Sequence, residues 1–267
     1  MSRLLFSASI ATMLSAGLLF SCQQDKPAPP SATPPLSVSE AKLKTQDCVH
    51  DSVCAEVSLV FVQLAGGPNA AATAAINDSL RSLAMSALEV EPKLALEAGF
   101  DTSAKRLFAD LKEHVLIAPD WSGSYERNIS VKSVWSNPRF ASFEAAMYSF
   151  TGGAHGNHAN ELRTYDLSTG KSVPLSDVVR DTAALVPMLE KAFVESKQQD
   201  EQASLTLAEL LYEGTKHLPV STNFCLTEQG LRFFYNPYEV APWVVGDTDI
   251  TLTWEQLGAL ADRGKWK

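Results

Sequence analysis

The chain has 267 residues, 45% of them hydrophobic, and 31 Asp and Glu against 22 Lys and Arg give it a formal charge of −9. That apolar content supports one large domain or two tightly joined ones. The acidic balance argues against nucleic acid, or an anionic membrane face, as the main partner. Met1-Ser2-Arg3 is a short basic start, and Leu4 to Phe20 is an apolar, small-residue run carrying several Ser and Thr. It is shorter and more polar than the ~20 apolar residues of a membrane-spanning helix, so it reads as a cleaved export signal.

Leu19-Phe20-Ser21-Cys22 resembles the lipobox of bacterial lipoproteins, with Phe20 an unusual occupant. The resemblance implies a signal peptide over residues 1–21 and lipidation of Cys22 with acyl chains such as palmitate, several of which together make a lasting anchor. The expected location is therefore extracytoplasmic, on a bacterial membrane and specifically the outer one. The alternative is a soluble secreted protein in which Cys22 is incidental. Gln23 to Leu36 carries five prolines among Ala, Ser and Thr, so residues 22–44 are expected to form a semi-rigid tether.

Beyond the tether, Cys48 and Cys54 flank a polar segment and can close a small loop at the entrance of the first strand. Cys225 sits in an apolar context, and its pairing with either of them stays open. A metal site of Cys48, Cys54 and His50 fits no standard zinc spacing. Ala55 to Leu64 is rich in β-branched and aromatic residues and predicts a strand. Ile76, Leu80, Leu83 and Leu88 recur at helical spacing, predicting a helix over residues 69–90 that Pro92 ends. A second helix is predicted over residues 103–115, capped by Thr102 or Ser103.

Alternation over residues 125–135 and 139–150, joined by Asn137-Pro138, predicts two antiparallel strands, and residues 161–167 a third, ending in the turn Ser168-Thr169-Gly170-Lys171. Ser176 is placed as the cap of a short helical turn, and helices are expected over residues 182–197 and 205–212. Strands follow at 224–226, 231–235 and 249–253, then a helix over 254–261. Segregated strands and helices favour an α+β fold: a mostly antiparallel sheet with packed helices, in two closely joined subdomains. The expected division is an N-terminal α+β module over residues 45–148 and a C-terminal domain over 149–267.

Two segments stand out. Tyr148-Ser149-Phe150-Thr151-Gly152-Gly153-Ala154-His155-Gly156-Asn157-His158 packs glycines where backbone groups can be approached closely or form an anion-binding nest. Phe233 to Trp243 surrounds Glu239 with aromatics and prolines, where a lone carboxylate needs partners. Glu239 is expected to accept N–H groups of the Gly152–Gly156 loop. Tyr238, Trp243, Trp121, Trp135 and Trp254 are read as core.

Phe-Thr-Gly-Gly-Ala-His-Gly-Asn, then Tyr165-Asp166-Leu167-Ser168-Thr169-Gly170-Lys171 with Leu175-Ser176-Asp177, then Tyr235-Asn236-Pro237-Tyr238-Glu239-Val240-Ala241-Pro242 and Gly246 resemble the extracytoplasmic domain of unknown function found in RsiV-type anti-sigma factors and PdaC-type peptidoglycan deacetylases. The likeness spans about Phe150 to Leu260, and residues 55–90 resemble the small module that precedes that domain. It implies an α+β fold and a non-catalytic binding role near the cell wall, with lysozyme or peptidoglycan as partner and Gly152, Gly153, His155, Gly156, Asn157 and Glu239 as binding or structural residues. Neither a cytoplasmic sigma-binding segment with a retained membrane span nor a deacetylase domain is expected from the sequence.

The competing reading is a metal-dependent or other hydrolase of the envelope using His155, His158, Glu161 or Glu239. Residues at i, i+3 and i+6 do not present three ligands on one side of a strand. No Gly-x-Ser-x-Gly, P-loop or dinucleotide fingerprint occurs, so neither catalytic residue, cofactor nor metal is assigned.

Overall fold

Val53, Ala55, Val57 and Leu59 alternate with half-exposed neighbours, the period that buries one face of a strand. They form the centre of a computed structural model that describes residues 34–50, 53–86, 92–197 and 204–266. Cys22, the signal segment and most of the tether lie outside the described residues.

The larger sheet has five strands in the order β1 (Ser37–His50), β2 (Val53–Ala65), β3 (Tyr125–Ser136), β4 (Phe140–Phe150) and β5 (Asn157–Asp166). Every pairing is antiparallel except β2 with β3. A parallel pair needs a long crossover, here α1 (Ala70–Ser86) and α2 (Pro92–Ile117). Asn69 caps α1 by accepting the Ala71 and Ala72 N–H groups. Ile76 and Leu80 of α1 and Leu107 and Leu111 of α2 pack in one core with β2, and this core extends through Ile129 and Phe143 to Tyr165. The sheet therefore takes strands from both sides of residue 148.

Three expectations for this half change. Residues 37–44, expected in the tether, pair with β2 from Ser37 opposite Ala65 onward. Thr102 and Ser103 lie inside α2 rather than at its start, because the break in that helix is supplied by Gly99 at φ 75°. The open cysteine pairing resolves to a Cys48–Cys54 disulfide at the far end of the β1–β2 hairpin, with Cys225 free and buried. Burial pushes the Cys225 thiol up to about 12, so it stays protonated and packs as a small apolar group.

The smaller sheet is β6 (Phe224–Leu226), β7 (Gly230–Tyr235) and β8 (Thr248–Thr253), all antiparallel. Its core includes Phe193 of α4 (Val186–Lys197) and Trp254 and Leu257 of α6 (Trp254–Leu257). Thr253 and Gln256 form a capping box that starts α6, and at Gly258, φ 48°, the α-helix gives way to a 3-10 turn over Gly258–Leu260, so helical structure covers the expected span to residue 260. Ser176 sits within α3 (Leu175–Val178), whose cap position is Pro174. The next short helix, α5 (Leu207–Leu210), has a Thr206/Glu209 capping box, and α7 (Arg263–Trp266) closes the described chain. The architecture is α+β with a mostly antiparallel sheet and packed helices.

The two sheets meet along β5. Asn223 pairs with its backbone like a strand residue: Leu162 N–H donates to Oδ1 at 2.7 Å, and Nδ2 donates to the Asn160 carbonyl at 2.8 Å. Asn236 accepts the Asn160 N–H at 2.7 Å and donates back to its carbonyl at 3.1 Å. Beside them Leu162 packs on Cys225 and Phe234. Arg232 of β7 bonds Glu144 of β4 at 2.7 Å and Asp249 of β8 at 2.7 Å, and these carboxylates hold its guanidinium above its usual range against the cost of burial.

After β5 the chain turns through Ser168-Thr169-Gly170. Burial works against ionisation of Asp166. The Ser168 hydroxyl and N–H, Arg139 and the Thr169 N–H outweigh it and hold the carboxyl below its ordinary value. A carboxyl with a depressed folded-state value stabilises above its unfolded value and loses that contribution as pH falls through the folded one. Asp166→Asn should therefore cost about 1.5 kcal/mol at pH 7, with the gap to the parent closing as pH falls below about 4. Urea denaturation at several pH values reads this, and a gap that is constant with pH would rule out the charged bonds as its origin.

Candidate functional site

The loop between β4 and β5 is shaped by glycine. Gly152 and Gly153 have φ of 87° and 103°, values that L side chains avoid. A Cβ at Gly152 would lie 3.3 Å from His114, whose ring stacks on Trp121 at 4.5 Å and bonds the Tyr125 hydroxyl at 2.7 Å. The Tyr148 ring lies over Gly156, where a Cβ would come within 2.5 Å of it. The loop thus runs between packed aromatic rings and turns His155 outward, exposed. His155 Nδ1 donates to the Gly156 carbonyl at 3.0 Å, which leaves Nε2 without the ring proton in the neutral form.

The second motif meets this loop through Trp243. The Trp243 ring stacks on His155 at 4.2 Å between centroids and 12° between planes, and meets the edge of His158 at 5.1 Å. Tyr238 lies 5.6 Å from the same indole. His158 Nε2 is 3.5 Å from Asp247. The result is a ledge of His155, Trp243 and Tyr238 with His158 and Asp247 behind it.

Tyr238 carries the unusual feature of this ledge. Asn236-Pro237-Tyr238-Glu239 closes with Glu239 N–H donating to the Asn236 carbonyl at 3.1 Å. Proline at the second place and positive φ at the third mark a type II turn, which normally has Gly at that third place. Here it is Tyr238, at φ 67°, the one non-glycine residue with positive φ among the described residues. Its side chain is 55% exposed and the Tyr212 hydroxyl donates to its carbonyl at 3.4 Å.

Two expectations are corrected here. Glu239 does not reach the glycine loop: its carboxylate accepts the Asn236 N–H at 2.9 Å and clamps its own turn. Short range explains this, since an exposed carboxylate three residues from a free N–H closes the turn without ordering a distant loop. Tyr238 is surface rather than core, and Trp243 is only half-buried. Asn157 begins β5 opposite Ser149 and is exposed.

His155, His158 and Glu161 do not converge: the first lies on Trp243, the second faces Asp247, and Glu161 is bonded by Arg163. Among the described residues no group of three or more His, Cys, Asp or Glu side chains is placed to hold a metal ion. The arrangement offers aromatic faces and a few polar groups to a ligand. The Trp243–His155 stack escaped sequence reasoning, which took the aromatic-and-proline segment as core.

Residues 176–255 match the family described as Protein of unknown function (DUF3298). No curated protein matches the chain. A crystal structure of a DUF3298 family member from Bacteroides fragilis is similar at 17% identity and TM-score 0.63, covering 86% of this chain and 95% of its own. A second, from Pseudomonas aeruginosa PAO1, has 16% identity and TM-score 0.59 with the same coverage. At these identities the likeness is one of fold. The family match includes the Tyr238 turn and Trp243 but starts after the glycine loop, a narrower span than residues 150–260.

Trp243→Ala removes the ring that His155, His158 and Tyr238 pack against and should lower stability by about 2 kcal/mol, whereas Glu239→Gln keeps an acceptor for the Asn236 N–H and should cost less than about 0.5 kcal/mol. Chemical denaturation of both variants checks this, and the reverse order would mean that Glu239, not Trp243, joins the two motifs.

Proposed function

We propose that this chain is a lipid-anchored extracytoplasmic lipoprotein, held in the outer membrane through acylated Cys22, whose ledge of His155, Trp243 and Tyr238 binds the glycan strands of peptidoglycan. The carrying observation is Tyr238: a bulky residue kept in a left-handed conformation, where Gly relieves a cost of about 1 kcal/mol, with its ring exposed and turned to Trp243. Strain retained at an exposed position points from structure to function. Sugar rings present flat C–H faces that stack on aromatic rings, and Asp247 and His158 supply hydrogen-bonding groups beside them. The resemblance to RsiV-type and PdaC-type domains supports a place near the wall, as does the lipobox-like Leu19 to Cys22. No helix among the described residues is long and apolar enough to cross a membrane, so the lipid supplies the attachment in this reading.

The test uses the full chain in mild detergent, sedimented with purified peptidoglycan sacculi. The parent should bind saturably at physiological salt, and Trp243→Ala and Tyr238→Gly should each bind at least tenfold more weakly. Tyr238→Gly should do so at nearly unchanged stability, because relief of the backbone offsets the larger chain entropy of Gly, about 0.5–1 kcal/mol. Replacing Cys22 by Ser should release the protein from membranes with the ledge intact. No binding to sacculi overturns the wall reading; saturable binding to lysozyme that the same two variants abolish would assign the ledge to a protein ligand instead.

A further inference from the structure

A cavity of about 610 Å³ runs along β5, lined by none of His155, Trp243 and Tyr238, with Leu83, Met147, Val173 and Phe224 among its apolar walls. It falls within the size range of small-molecule sites. Its lining includes two charged residues, Glu161 and Arg163. They lie two positions apart on β5 and so face the same side, with Arg163 Nε donating to Glu161 at 2.6 Å. Tyr165, two positions further along the same face of the strand, has its hydroxyl 2.7 Å from Ser79 of α1. Arg163 is thus held toward Glu161 on its own strand. About two fifths of each charged side chain is open to water, 42% for Arg163 and 41% for Glu161.

We infer that this cavity binds a small zwitterion, an amino acid or a dipeptide with free termini, its carboxylate on Arg163 and its ammonium on Glu161. An anion alone would meet the Glu161 carboxylate beside the arginine, and a cation alone would meet Arg163 beside the glutamate. A ligand with both charges satisfies both groups at once. A water-exposed ion pair is weak enough to open for a ligand that replaces it with two charge-assisted hydrogen bonds. The guanidinium offers a carboxylate the planar two-point geometry it prefers. The apolar walls take a ligand side chain.

The inference is independent of the aromatic ledge. Calorimetric titration of the full chain with alanyl-phenylalanine should show saturable one-site binding. Its N-acetyl, C-amide derivative, of nearly the same shape without charges, should bind at least tenfold more weakly. Arg163→Gln and Glu161→Gln should each weaken the free dipeptide at least tenfold, while Trp243→Ala leaves it unchanged. No saturable heat up to millimolar dipeptide, or equal affinity for the blocked derivative, overturns the assignment; the second comparison uses the unaltered protein and does not depend on how any variant folds.

Discussion

Strand β5 lies at the end of the larger sheet, and the backbone groups along its outer edge must find partners if the second core is to close over them. Residues 164–166 find them in the backbone of Lys171 to Val173, and Asn160 and Leu162 find them in side-chain carboxamides. Asn223, just before β6, and Asn236, just after β7, lie at the same end of the smaller sheet and pair with Asn160 and Leu162 as a sixth strand would. Both sheets are fixed in mutual position by these bonds, and Arg232 bridging Glu144 and Asp249 adds a charged tie nearby. Carboxamide pairing ends the sheet without extending it, which blunts an edge that could otherwise recruit another chain.

The same join places the chemistry-bearing segments. Asn236 is the first residue of the turn that presents Tyr238, and Asn160 follows His158 by two positions. Locking these two asparagines together holds Trp243 over His155. The ledge is thus a by-product of the way the sheets are joined, with few contacts of its own beyond ring stacking. The left-handed Tyr238 is sustained because Pro237 fixes the preceding φ, Glu239 closes the turn and Tyr212 holds its carbonyl.

Much of the fold was legible because the strands with one buried face carry strong alternation, as in Val53 to Leu64, and the helices a clear apolar stripe, as in Ile76 and Leu80. Strand β1 was not legible, since its residues are exposed on both faces; Val38, Ala41 and Leu43 are spaced among Glu40, Lys42 and Lys44, and only pairing with β2 makes it a strand. The helical break at Gly99 was equally hidden, since glycine in sequence does not declare which sign of φ it will adopt. At the site, composition singled out two segments that the fold brings together, and the wrong bond between them. An isolated carboxylate suggested a long-range hydrogen bond, whereas the contact is an aromatic stack whose partners sit 88 positions apart in the chain.

The β1–β2 hairpin has a mechanical meaning. Its open end is at Ser37 and Ala65, where the preceding chain enters, and its closed end is stapled by Cys48 and Cys54. Tension arriving from the N-terminal side would meet the Ser37–Ala65 rung first and the Cys48–Cys54 staple last. Because β1 buries little, its loss would remove few core contacts from β2, and the covalent staple would stop it at residue 48.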